Sequence, residues 1–207
     1  MGRKRREWIP GHFYHIGARG NRRDPLFKDP SDFNTMFHVL ENVYQKTPFH
    51  LISYCFMTNH YHLLMRSHTD PLSKIMANVN KRYASYYNNK YNLTGHVFEK
   101  RFFAGHIKSL PNLLGVSRYI HRNPVEAKMV RTPKEYYWTS FWYYSTPACT
   151  PPKYIDTDHL LTYYPGTNEE KRRQYLDWCE EELDEEERLL WENNRTRKKH
   201  RKGDKRV

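Results

Sequence analysis

Two histidines one residue apart, His60 and His62, sit inside the apolar run Phe56-Met57-Thr58-Asn59-His60-Tyr61-His62-Leu63-Leu64-Met65. In a strand successive side chains alternate faces, so both histidines point one way while Tyr61, Leu63 and Met65 point the other. That geometry converges two imidazoles on one cation. Imidazole is a neutral nitrogen ligand at physiological pH, and a same-face pair supplies two ligands of a site that keeps positions open for substrate. Two half-exposed strand histidines also arise without any metal role in a chain that carries 12 of them, so the surrounding sequence has to decide.

The chain has 207 residues, enough for one well-formed core with an appendage. Lys and Arg number 35 against 23 Asp and Glu, a formal charge of +12, which favours a polyanionic partner. Aromatic residues make up 15% of the chain, including 17 tyrosines, and offer stacking surfaces as well as core, so nucleic acid leads among partners. Three scattered cysteines, Cys55, Cys149 and Cys179, make neither a disulfide framework nor a thiolate zinc site and point to a reducing compartment. No apolar run reaches the roughly 18 residues of a membrane span. The basic start leads into Trp8-Ile9-Pro10-Gly11 and not into an apolar signal core. A soluble, cytoplasmic protein is expected, with no membrane partner.

The elements that must position the histidines follow from periodicity and turn chemistry. Residues 12–17 read as a short strand, followed by the turn-rich loop Ala18-Arg19-Gly20-Asn21-Arg22-Arg23-Asp24-Pro25. Small residues let such a loop approach a nucleic-acid strand while Arg19, Asn21, Arg22 and Arg23 contact phosphate or base edges. Phe33, Met36, Phe37, Leu40 and Val43 recur at helical spacing, with Ser31 or Asp32 placed as the cap and Pro48 as the stop. Residues 49–57 form an apolar strand that turns at Thr58-Asn59 into the histidine strand. Asp70-Pro71 opens a second helix with Leu72, Ile75, Met76, Val79 and Tyr83 as its apolar stripe, and 88–95 read as a polar linker. Residues 96–107 enter a fourth strand, and their mixture of Phe, Lys100 and Arg101 suits a groove that stacks bases and neutralises phosphates. A third helix starts at Pro111 and should run out near Asn123, because proline disfavours helical geometry in the residue before it.

The resulting order, strand–helix–strand–strand–helix–strand–helix, is the α+β split βαβ pattern. It predicts a ferredoxin-like or RRM-like sandwich with an antiparallel sheet, helices on one sheet face and the other face open. An aromatic segment, 133–144, should wrap back onto this core. A linker at 146–152 then leads to a helical, charged extension, with helix from about 169 to 191 and a basic end at 195–206. The basic run Arg3-Lys4-Arg5-Arg6 reads equally as a phosphate-contacting arm or a solvated terminus.

Three segments together resemble one family: Met57-Thr58-Asn59-His60-Tyr61-His62-Leu63-Leu64, Gly95-His96-Val97-Phe98-Glu99-Lys100-Arg101-Phe102, and Arg118-Tyr119-Ile120-His121-Arg122-Asn123-Pro124-Val125-Glu126-Ala127. The chain is similar, over about 8 to 145, to the single-tyrosine HUH transposases and within them to the REP-associated tyrosine transposase-like proteins. Two positions depart from the family pattern: Tyr61 fills a slot usually aliphatic, and Thr58 stands where proline is common. The resemblance implies a catalytic domain over 1–145 and an extension over 146–207. It implies that Tyr119 is the nucleophile that nicks and rejoins single-stranded DNA near hairpins through a 5′-phosphotyrosine link. It further implies a divalent ion, Mg2+ or Mn2+, held by His60, His62 and Asn123, the last one helical turn after Tyr119. Single-stranded or hairpin DNA is the implied partner of a monomer or homodimer. The competing class is a non-catalytic regulator that binds hairpin DNA or RNA on the same fold. That reading lacks the aromatic-rich RNP pattern and leaves the paired histidines without a role.

Overall fold

Residues 8–185 and 187 are described by the structure, a computed structural model. Strand β2 (His50–Met57) is buried at seven consecutive positions, so apolar cover is needed on both of its faces. Strand β3 (His60–Arg66) instead starts with half-buried His60 and His62 alternating with buried Tyr61 and Leu63. With β1 (Tyr14–Arg19) and β4 (Phe103–His106) they form one sheet in the order β2-β3-β1-β4, every neighbouring pair antiparallel. Helices α1 (Pro30–Tyr44), α2 (Leu72–Tyr91) and α3 (Leu110–Glu126) interleave with the strands as the split βαβ pattern predicts.

Helix ends differ from the sequence expectation where side chains reach across the fold. Asp29, and neither Ser31 nor Asp32, caps α1, and Asp32 closes the reciprocal capping box with Pro30 in the first turn. Helix α2 continues through 88–91 because its last turns are held by tertiary bonds. The Tyr87 hydroxyl donates to the Pro25 carbonyl at 2.6 Å, and that of Tyr91 to Asp32 at 2.6 Å. Helix α3 begins at Leu110 under a Ser109 cap and continues past Pro124 to Glu126. In the last turn the missing proline N–H forfeits one bond only, and the Ala127 N–H still reaches the Asn123 carbonyl at 3.0 Å.

One face of the sheet is covered by α1 and α2, which pack Met36, Leu40, Ile75, Val79 and Tyr83 on Ile16, Phe56, Tyr61 and Leu63. The other face is not open as expected. Helix α3 and three later helices, α4 (Phe141–Ser145), α5 (Thr157–Leu161) and α6 (Asn168–Glu180), form a second core there. Leu113, Ile120, Phe141, Tyr144, Leu160 and Tyr175 meet Ile52, Cys55, Met57 and Leu64. The outer edge of β2 is covered too: the Phe56 N–H donates to the Trp138 carbonyl at 2.9 Å, and the Leu51 N–H to that of Tyr154 at 2.7 Å. The aromatic segment thus wraps back as expected. The arm at 3–6 and the basic end at 195–206 lie outside the described residues, as do 188–191 of the expected long helix, and α6 itself stops at Glu180.

Candidate active site

Strand pairing builds the site. In the β1–β3 register Gly17 faces His62 and Arg19 faces His60, so these side-chain positions share the sheet face that α3 crosses. His15, two residues before Gly17, lies on the same face, and its Nε2 is 3.0 Å from Nδ1 of His62. With the proton on His62 Nδ1 donated to His15, the His62 lone pair sits on Nε2, the form in which a histidine ligates a metal. His60 Nδ1 donates to the Asn59 side-chain oxygen at 2.8 Å, which likewise puts its lone pair on Nε2. The two rings stand edge to face with centroids 5.0 Å apart. A Cβ at position 17 would lie 3.4 Å from His62 Nδ1, so glycine gives the imidazole room to lean over β1.

Helix α3 lays Tyr119 on this cluster. Its half-buried ring meets His62 at 5.2 Å and His15 at 5.5 Å between centroids, edge-on in both cases. Asn123 follows one turn later on the same side of the helix, half-buried. The tyrosines of the α1–α2 face are set apart from the histidines by the sheet. Tyr61 points to the opposite face, where burial pushes its phenol far above the ordinary range, and Tyr83 and Tyr87 belong to that same opposite core.

The donor set suits a divalent cation. Two imidazoles with oriented lone pairs are acceptable ligands, as an amide oxygen would be, and the chain of second partners, Asn59 on His60 and His15 on His62, is the kind that fixes ring orientation. Among the described residues no three His, Cys, Asp or Glu side chains group to hold a metal ion. Further ligands would therefore come from oxygen donors such as Asn123 or a bound phosphate.

The cationic loops gather at the same end of the sheet. The Gly20 N–H donates to the Asn59 carbonyl at 2.8 Å, the Asn21 N–H to that of Val97 at 2.8 Å, and the Glu99 N–H to that of Arg19 at 2.9 Å. These bonds tie the loop of Arg19, Asn21, Arg22 and Arg23 to the turn before His60 and to the segment that carries Lys100 and Arg101. Arg22 and Arg23 hold left-handed backbone angles, φ 52° and 68°, with exposed side chains. Each such non-glycine conformation costs about 1–2 kcal/mol, sustained here by the surrounding bonds. Gly20 permits the tight closure, since a Cβ there would fall 2.1 Å from the Asp24 carbonyl oxygen. Lys100 and Arg101 are also exposed, with Lys100 3.3 Å from Glu99.

His15 is the member of the cluster that reasoning from sequence overlooked. Its signal was present in the two-residue step from His15 to Gly17, but only the β1–β3 pairing brings it to His62.

The paired strand histidines and the tyrosine-bearing helix laid across them thus share one split βαβ sheet. The chain belongs to the IS200-like transposase family: the family model described as "Transposase IS200 like" matches residues 9–123, a span that holds all four strands and α3 as far as Asn123. Among solved structures the chain is similar to a REP-associated tyrosine transposase bound to a REP hairpin. That match has 19% identity and a TM-score of 0.61 and covers 73% of this chain and 89% of the other. At this identity the likeness establishes the fold alone. A candidate transposase from Deinococcus radiodurans R1 follows at 12% identity and a TM-score of 0.41, with 58% and 97% of the two chains covered. A tRNA(His) guanylyltransferase from Saccharomyces cerevisiae has 12% identity and a TM-score of 0.43, with 86% and 81% covered. Neither of these two lower scores bears on function. No curated protein matches the sequence. No helix among the described residues is long and apolar enough to cross a membrane.

Proposed function

We propose that this transposase is a single-tyrosine, metal-dependent endonuclease that nicks and rejoins single-stranded DNA near hairpins through a 5′-phosphotyrosine intermediate. The observation that carries the proposal is the Tyr119 ring set against His62 and His15 at 5.2 and 5.5 Å. It joins a nucleophile to oriented imidazoles on one surface. The Tyr119 oxygen attacks the scissile phosphorus and loses its phenolic proton. The bond from phosphorus to the 3′ oxygen breaks, and that oxygen takes up a proton. In the reverse direction a 3′-hydroxyl attacks the phosphotyrosine and restores both the DNA and the phenol. His60, His62 and Asn123 would hold Mg2+ or Mn2+, which when bound polarises the phosphate as a Lewis acid. His15 and Asn59 orient the two rings. Arg19, Asn21, Arg22, Arg23, Lys100 and Arg101 bind the DNA backbone beside the site. The REP-associated relative is bound to a REP hairpin, and a hairpin is the substrate class we assign to this chain. Residues 1–145 form the catalytic domain in this reading and 146–207 its helical extension, and we assign the protein to the cytoplasm, the reducing compartment to which its three scattered cysteines point.

The test is a denaturing gel of end-labelled single-stranded hairpin DNA with Mn2+. The wild-type protein should form a covalent adduct through the DNA 5′ phosphate, and Tyr119→Phe, which removes one oxygen and keeps the ring, should lose adduct and cleavage together. Cleavage by Tyr119→Phe, with no adduct in either protein, would identify water as the nucleophile and overturn the proposal.

A further inference from the structure

Arg118 and Arg122 bracket the tyrosine in sequence, yet they are only 3% and 5% exposed. A buried guanidinium needs acceptors for its donors, and the Nη groups of both find them where α6 ends, while each buried Nε has no hydrogen-bond partner among the described residues. The last carbonyls of a helix have no partner within it and form the negative end of its dipole. Arg122 Nη1 donates to the carbonyls of Cys179, Glu180 and Glu181 at 2.9, 3.2 and 2.5 Å, while Nη2 reaches Glu126 at 3.1 Å. Arg118 Nη2 donates to the carbonyl of Glu181 at 3.0 Å, its Nη1 pairs with Glu187, and its guanidinium lies 4.8 Å from the centre of a Trp178 ring.

A second connection runs through the core. Ser53 of β2 is hydrogen-bonded to Ser117 at 2.5 Å, Ser117 to the Tyr175 hydroxyl at 2.6 Å, and Tyr175 to His121 Nδ1 at 2.7 Å. His121 Nε2 reaches Ser140 Oγ at 2.7 Å, which in turn accepts the Tyr54 N–H of β2 at 2.8 Å. Each of these side chains is fully buried. Ser117 and His121 stand two residues either side of Tyr119, about 200° around the helix, on the face turned from the histidines.

We propose that α6 is a positioning element of the active site. Its Tyr175 hydroxyl and its carbonyl end, acting through Ser117, His121, Arg118 and Arg122, hold α3 in the rotation that aims Tyr119 at His62. The proposal rests on Tyr119 being the nucleophile. None of these residues touches the reacting atoms; they act through the helix that carries them. A helix fixed only by apolar contacts can roll, whereas directional bonds on two sides define one rotation. Misplacing a reacting group by about 1 Å can lower a rate on the order of 100-fold, so small rolls matter.

The experiment uses the full chain with 3-fluorotyrosine at position 119, in wild type, Tyr175→Phe and Arg122→Lys. The first variant keeps the ring and loses the hydroxyl; the second keeps the charge and loses the fork. Both should show a moved or broadened 19F line, a single-turnover adduct rate lowered at least tenfold, and hairpin Kd within twofold of wild type. A merely structural role would leave line and rate unchanged in the folded variants, and that result overturns the proposal. Should neither variant fold, wild type in rising urea decides. The 19F line must move in the same step in which the α6 amides begin to exchange, and a line that stays put after α6 has opened overturns the proposal. The 19F measurement needs neither DNA nor metal, so it reads the positioning even if wild type forms no adduct, an outcome that would sink the proposed function instead.

Discussion

Taking the protein from pH 7.5 to pH 5 should cost about 2 kcal/mol of stability through His121 alone. The imidazole is fully buried, with Tyr175 on one nitrogen and Ser140 on the other at 2.7 Å each. Burial penalises the charged ring and pushes its pKa from 6.5 down to about 3. As pH falls below 6.5 the unfolded chain takes up a proton at this histidine that the folded chain refuses until about pH 3. The unfolded state therefore binds more protons throughout that window. The contribution is fully present above pH 6.5 and is lost progressively as pH falls toward 3. At about 1.4 kcal/mol per pH unit, the 1.5 units between 6.5 and 5 give the value above. His50 and His159 are shifted the same way, by burial first and then by the Arg66 charge, and add to the slope with the same sign. Ending at pH 5 keeps the comparison above the ordinary carboxylate range. Urea unfolding followed by tryptophan fluorescence at pH 7.5, 6.5, 5.5 and 5.0 measures it, with His121→Gln as comparator. The variant starts from a lower baseline, but its stability should fall less over this range, by about 2 kcal/mol. Parallel pH curves for the two proteins would refute a neutral, buried His121.

Two further outcomes test the site and the loop beside it. Alanine at both His60 and His62 should abolish Mn2+-dependent cleavage while hairpin binding changes little in a gel-shift titration, because phosphate contact is assigned to Arg and Lys; retained cleavage would show that the pair holds no essential ion. Gly20→Ala would place a Cβ 2.1 Å from the Asp24 carbonyl oxygen, so the arginine loop must shift at a cost of about 1–3 kcal/mol. Hairpin affinity should weaken and its salt dependence flatten, whereas wild-type affinity and slope would show that the loop does not contact the DNA.

Much of this protein was legible in local patterns. Strand alternation alone puts His60 and His62 on one face and Tyr61 on the other, and helical spacing alone puts Asn123 one turn after Tyr119. The order of strands and helices is equally local, since the apolar period switches between two and 3.6 residues along the chain. The seven buried positions of β2 were written in the sequence as a run that is apolar but for Ser53, a sign that both sheet faces would be covered, but the residues that cover the second face lie some 60 to 120 positions away. Register, too, is a non-local quantity. His15 joins the site only because Gly17 pairs with His62, and a slip of one residue in that pairing would have turned it to the opposite face. Arg118 and Arg122 look from sequence like any cationic pair on a DNA-binding helix. Only the tertiary structure turns them inward, because the carbonyl end of α6 offers acceptors that no local pattern announces.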